Sequence, residues 1–298
     1  MELMDLHRVH ARHLTATRRA PGTVVYYHNA CKRLGEYMAG AGLTDVAELT
    51  KGDMQGFALW LRERGLSPGG EHAVMRGVRA TLRWAAEEEL LERDPMRRVK
   101  LLRVPQVRPP AVTPELAREA LKAAERGRYP ARDRAAMLVM FDTGVRMGEL
   151  LALTTDDVDM RSGFIRVRAE TSKRQKERRL PFGVKTGRAL AHLERKRRPA
   201  RPAMGELFLS REGLPWTKSG LHHMLERVSG AMGVPRADLA PHAWRRGFAT
   251  EYMRGGGDLA TLQLLMGHAT LEQTRVYIRF SDDDLQRRHL LAGPGDRL

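Results

Sequence analysis

Apolar residues recur every three or four positions through most of the first hundred residues, the spacing of a helix that buries one face. Within 23–39, Val24, Tyr27, Cys31, Leu34 and Met38 form such a stripe, and Pro21-Gly22 marks its entry. The stretch 50–65 offers Phe57, Trp60 and Leu61 and closes on Gly65. A longer helix is expected over 67–92, opened by Ser67-Pro68, with Val74, Val78, Leu82 and Ala85 on one face and Arg76, Arg79 and Arg83 on the other. The periodicity then stops. Residues 94–116 hold five prolines among basic residues and read as a linker. It ends at Thr113, an expected N-cap with Pro114 in the first helical position. The boundary falls near residue 108, giving a helical domain over 1–107 and a second domain over 108–298.

The second part mixes periods. "ARDRAAMLVMFDTG" reads as a buried helix ending at Gly144, and "VRMGELLALTTDDV" as a short helix after it. Residues 163–183 alternate as two strands around a polar, basic turn. Helices are expected over 184–197, 217–232, 241–254, 258–266 and 271–280. The fold class is therefore mainly α with a small antiparallel β-sheet, the second domain being α+β.

Charge adds a partner. Lys and Arg outnumber Asp and Glu by 52 to 36, a formal net charge of +16. A chain this basic meets a polyanion, nucleic acid before an anionic membrane surface. The excess is no tail, for residues 1–110 carry 18 basic and 13 acidic side chains and residues 111–298 carry 34 and 23. Two folded domains, each with a basic face, fit that distribution, with Arg76, Arg79, Arg83 and Lys176 as expected phosphate contacts. Cys31 is the one cysteine, which excludes an internal disulfide and a cysteine-based zinc site and suits a reducing cytoplasm. The longest apolar run, 135–141, is too short to cross a bilayer, and residues 1–13 lack the apolar core of a signal peptide. A cytoplasmic, nucleoid-associated protein without a membrane partner is expected.

Three short motifs carry chemistry when taken together. "TGVRMGEL" places Arg146 and Glu149 three residues apart, the spacing of one helix face. "PHAWRRGFATEYM" sets His242 and Arg245 on one face beside a packing stripe of Trp244, Phe248 and Tyr252. The turn "TSKRQKERRLPF" carries Lys173 near its tip and Lys176 on the return. Attack on a phosphodiester builds negative charge on its non-bridging oxygens, which two guanidiniums can hold in bidentate fashion. Tyr277 is the expected nucleophile. Its phenol has a pKa of about 10 and needs neighbouring positive charge or a base such as His242. The leaving 5′ oxygen needs a proton, which Lys173 on the turn can bring. No metal and no cofactor are called for.

In this order, "TGVRMGEL", "SKRQKERRLPF", "HAWRRGFAT" and "MGHATLEQTRVYIRF" resemble the tyrosine recombinase (phage integrase) family over nearly the whole chain. The resemblance implies a two-domain DNA clamp with a SAM-like core-binding domain over 1–107 and a catalytic domain over 108–298. It implies cleavage through a 3′-phosphotyrosine, then strand exchange through a Holliday junction in a homotetramer or a heterotetramer with a paralogous recombinase. By the same resemblance Arg146 and Arg245 clamp the scissile phosphate, His268 bonds it, His242 assists proton transfer, Glu149 holds the set in place and Tyr277 attacks. Lys173 is the expected general acid and Lys176 the alternative, because the turn is longer than in Xer recombinases. Arg246 and Trp244 stand where the family often has His and Leu. With no room for an arm-binding domain ahead of residue 20, an Xer-like, plasmid or transposon recombinase is expected, and residues 282–292 are expected to dock on a neighbouring protomer. A catalytically silent DNA-binding or architectural protein of the same fold is the alternative. A metal-dependent nuclease would want a carboxylate cluster that the sequence lacks.

Overall fold

In the computed structural model the chain divides into two compact units, Met1–Val107 and Arg108–Leu298. The structure describes all residues except 103, 105–108, 173–175, 202–204, 271, 273, 275–285, 287, 288, 291, 292, 294 and 296–298. Lys173, Tyr277, the helix expected over 271–280 apart from two positions, and most of the tail segment 282–292 therefore lie outside the described residues.

The first unit is built from α1 (Leu3–Ala16), α2 (Pro21–Gly40), α3 (Lys51–Glu63) and α4 (Pro68–Glu87). The expected stripes are the buried faces: Cys31, Leu34 and Met38 on α2, Phe57 and Leu61 on α3, Val78, Leu82 and Ala85 on α4. Helix α1 was not delimited within the expected helical domain, and its inner face shows why. Leu3, Leu6 and Leu14 are interleaved there with buried His7 and His10, so the apolar period is broken. His10 stacks on Trp84 with ring centroids 4.5 Å apart. Burial, and then the fields of His7 and His13, push its imidazole down to about 4, so it packs as a neutral ring.

Two expectations need correction. Helix α4 stops at Glu87 instead of 92, and the chain beyond it folds back so that Leu91, Met96 and Val99 are buried in the core of the first unit. The linker is thus shorter at its start than its proline content suggests. Arg79 leaves the solvent face of α4, because its guanidinium donates to the Val99 carbonyl of that returning segment. Arg76 is exposed, and Arg83 is paired with Glu87 one turn on at 2.8 Å.

The second unit opens with α5 (Pro114–Glu125), capped by Thr113 Oγ1 accepting from the Leu116 N–H at 3.2 Å as expected. Helix α6 (Pro130–Thr143) is buried through six consecutive residues, Ala135–Met140, and is the central post of the unit. After α7 (Met147–Leu151), strands β1 (Val158–Asp159), β2 (Phe164–Val167) and β3 (Arg178–Pro181) form an antiparallel sheet in chain order. Its register pairs Ile165 with Leu180, both fully buried. Helices α8 (Val184–Lys196), α9 (Lys218–Met232), α10 (Pro241–Arg254) and α11 (Leu259–Met266) complete the unit. Trp244 on α10 is fully buried, edge-on to Phe141 of α6, and its indole N–H donates to the Leu239 carbonyl at 3.0 Å. This packing locks the first turn of α10 against the end of α6. No described helix is long and apolar enough to cross a membrane.

Gly144 ends α6 in the left-handed region at φ 61°, and a Cβ there would collide with the Phe248 ring. A Gly144→Ala substitution is expected to destabilise the second unit by about 1–3 kcal/mol from backbone strain, and by more if Phe248 cannot move aside. Urea unfolding followed by tryptophan fluorescence measures it, and an unchanged midpoint would refute it.

Candidate active site

The chain after α6 turns at Gly144 and enters α7 through Arg146. Arg146 is the residue just before that helix, extended at φ −73° and ψ 149°, so it does not share a helix face with Glu149 as the spacing suggested. The two meet by another route. Glu149 folds back so that its Oε2 accepts the Arg146 backbone N–H at 2.9 Å while its Oε1 accepts Arg146 Nη1 at 2.9 Å. This is the anionic end of a helix start, with the carboxylate satisfying a backbone donor that the helix itself cannot.

A third residue closes the arrangement. Arg178, at the start of β3, donates from Nη1 and Nη2 to the two oxygens of Glu149 at 3.1 and 2.6 Å. Glu149 is 2% exposed and accepts four hydrogen bonds from the two arginines. Burial opposes its charge, but the hydrogen bonds and fields of Arg178 and then Arg146 outweigh it and hold the carboxyl below its ordinary value.

Helix α10 supplies the next pair. Arg245 is 5% exposed, and its guanidinium donates to the carbonyls of Gly144 and Met266. His242, one turn earlier, keeps an exposed ring. Partial burial, then the fields of Arg246, Arg245 and Arg146, lower its pKa, so the imidazole is neutral at pH 7. Arg246 itself donates from Nε to the Pro110 carbonyl at 2.6 Å.

Helix α11 is capped at its start by Asp258 accepting from the Thr261 N–H at 2.8 Å, and it ends in Gly267 at φ 59°. Three consecutive carbonyls at that end each receive a different guanidinium. Leu265 O accepts from Arg178 Nε at 2.9 Å, Met266 O from Arg245 Nη2, and Gly267 O from Arg146 Nη2 at 3.0 Å. The carbonyls at a helix C-terminus lack intrahelical donors and carry partial negative charge, so cations belong there. A Cβ on Gly267 would lie 3.4 Å from Nη1 of both Arg146 and Arg178, so the glycine lets the two guanidiniums close in.

His268 follows. Arg245 Nη2 lies 3.1 Å from His268 Nε2, and His268 Nδ1 lies 3.0 Å from the hydroxyl of buried Thr274. A guanidinium only donates, so Nε2 accepts and Nδ1 carries the hydrogen toward Thr274. Arg146, Glu149, Arg245 and His268 are thus brought together, with His242 at their edge. Lys173 and Tyr277 lie outside the described residues, between buried Ser172 and exposed Lys176 in one case and three residues beyond Thr274 in the other. Sequence reasoning missed Arg178. The signal was strand alternation, because Leu180 points inward and the residue two before it shares that face.

Comparison with known proteins places these residues in context. The sequence model of the phage integrase family matches residues 111–283, and that of the phage integrase SAM-like domain matches residues 2–101. Tyrosine recombinase XerD of Pseudomonas putida is 30% identical over 242 residues, covering 79% of each chain. Tyrosine recombinase XerC of Roseiflexus castenholzii is 27% identical over 291 residues, covering 95% of this chain and 91% of the relative. In fold the chain is similar to the Tn1549 transposon integrase in complex with a circular intermediate DNA. That likeness has a TM-score of 0.79 and 21% identity, and it covers 100% of both chains.

Replacing Glu149 by Gln breaks a buried ion cluster and is expected to cost about 3–5 kcal/mol at pH 7. Because the folded carboxyl is held below its ordinary value, its contribution is complete above the unfolded pKa of about 4.3 and fades as pH falls through the folded one. The stability gap between wild type and Glu149→Gln should hold from pH 7 to 5 and narrow only below. Urea melts across that range test this, and a gap that closes already above pH 5 would contradict it.

Proposed function

The chain belongs to the phage integrase family of tyrosine recombinases, enzymes that cut and rejoin DNA at specific sites, and from that premise we propose that Arg146 and Arg245 hold the scissile phosphate of duplex DNA while Tyr277 attacks it. The observation that supports this most is the charge count at the end of α11. Arg146, Arg178 and Arg245 gather there, and the one carboxylate of Glu149, which bonds the first two, leaves two positive charges in surplus among the described residues of the cluster. A pentacoordinate phosphorane carries more negative charge than the diester it comes from, so a fixed surplus of this kind favours the transition state over the ground state.

In the proposed step the Tyr277 oxygen forms the bond to phosphorus and the bond from phosphorus to the 5′ oxygen breaks. The products are a 3′-phosphotyrosine and a free 5′-hydroxyl. The phenol proton passes to neutral His242, and Lys173, with Lys176 as the alternative, protonates the leaving oxygen. His268, held by Thr274, adds to the phosphate contacts once its ring turns a donor toward the anion. Reversal with a different 5′-hydroxyl rejoins the strand. Strand exchange through a Holliday junction in a tetramer completes recombination in this reading, and the basic first unit contributes binding through Arg76 and its neighbours.

Covalent capture tests the reading. Wild type incubated with nicked duplex fragments in excess chelator should form adducts resistant to SDS. Tyr277→Phe should form none, and Arg245→Ala should form them slower by roughly 100- to 1,000-fold, the size of a lost oxyanion donor. Intact DNA binding without any wild-type adduct would favour a silent DNA-binding protein.

A pH profile tests the base. With the His242 pKa lowered, its proton-accepting form persists below the ordinary imidazole value of about 6.5. The acid limb of adduct formation should therefore lie below pH 6.5 and vanish in His242→Gln. A limb at or above 6.5 would remove His242 from that role.

A further inference from the structure

We infer that Arg178 is a positioning residue for strand cleavage, one that fixes the lysine-bearing turn, the phosphate clamp and the end of α11 relative to one another. This rests on the reading of the cluster as the cleavage centre given above. Arg178 is the one guanidinium at the end of α11 with no part in the proposed phosphate contacts, and its geometry shows what it does instead. All three of its side-chain nitrogens are turned toward protein: Nε to Leu265 O, Nη1 and Nη2 to Glu149. Its side chain is 11% exposed. It acts through the groups it holds.

Two side-chain partners and one backbone pairing each lead to a different part of the proposed chemistry. Through Glu149 it sets Arg146, because Arg146 Nη1 and Arg178 Nη1 share Oε1 at 2.9 and 3.1 Å. Two guanidiniums this close repel unless the carboxylate stands between them, so the position of Arg146 depends on both partners. Through Leu265 it holds the last turn of α11, and His268 and Tyr277 follow that turn within twelve residues. Through its own backbone it is paired in the sheet opposite Val167, and it is the first strand residue after the turn that carries Lys173 and Lys176. The return leg of that turn is therefore anchored by the side chain that orients Arg146.

The planar fork is what allows this. Lysine could neutralise Glu149 but has no second, fixed direction for Leu265 O. Methionine would keep the length and lose both contacts. Misplacement of a reacting group by about 1 Å costs on the order of 100-fold in rate, which sets the expected size of the effect.

The experiment measures single-turnover adduct formation at saturating DNA, on the site recovered by covalent capture, alongside DNA affinity and thermal stability. Arg178→Met should lower the rate constant roughly 100-fold with DNA affinity unchanged. Arg178→Lys should fall between Met and wild type. In the double variant with Glu149→Gln the loss should be no greater than in the worse single variant, as for residues acting as one unit. A wild-type rate in Arg178→Met would overturn the inference. So would a loss of affinity that accounts for the slower rate, or losses that multiply in the double variant. If Arg178→Met does not fold, Arg178→Lys decides, since full activity there would refute the need for a fork. Absence of any adduct with wild type would instead overturn the reading of the site on which this inference rests.

Discussion

The candidate site depends on the unfinished end of one short helix. Helix α11 stops at Met266 with carbonyls that no further turn can satisfy, and the second unit supplies their donors from three distant places: Arg146 before α7, Arg178 on β3 and Arg245 on α10. Separations of 121, 87 and 21 residues along the chain converge on three adjacent peptide groups. Like-charged guanidiniums do not gather without cause. The helix dipole, the carbonyls and Glu149 together provide it. The arginines proposed as a phosphate clamp are thus also structural cations, held together in the free protein by contacts that need no phosphate.

That dual use explains which parts were legible in the sequence. The helices of the first unit follow from apolar spacing, and α2, α3 and α4 carry it cleanly. Helix α1 hides because histidines take two of its inward positions, and a neutral buried histidine scores as polar although it packs against Trp84 as a ring. Arg146, Arg245 and Glu149 were singled out through motif order, and the structure brings them together. Their actual joining was not foreseen, since an i,i+3 pair suggested a helix face where the structure has a residue before the helix reached by a carboxylate folding back. Arg178 was passed over for a related reason. Basic residues in a strand return are ordinarily solvated, and alternation with Leu180 was too weak a signal to set against that until the register of β3 showed this one facing inward. Sequence carries residue type and local period well. It does not carry which of several arginines is buried, because that is decided by contacts 29 and 87 residues away.

Placement of the boundary follows the same logic. Proline content marked 94–116 as a connection, yet Met96 and Val99 complete the core of the first unit and the Val112 N–H already donates to Ala243 in the second. A connecting segment whose two ends are absorbed into the units it joins is shorter than its composition implies. Arg79 belongs to this theme too, being drawn from an exposed helix face to close the returning chain.

The shortness of α11 has a consequence for motion. Eight residues cannot sustain a helix alone in water, so its last turn survives by contacts made from the residue before α7, from β3 and from α10. Local fraying, the usual fate of a helix terminus, would have to release three guanidiniums together. Amide hydrogens around 263–268 should then exchange with solvent only through a concerted opening of the second unit, giving this segment protection out of proportion to its length. The end of a small helix thereby becomes a cooperative part of the fold, and the histidine that follows it inherits a rigid base.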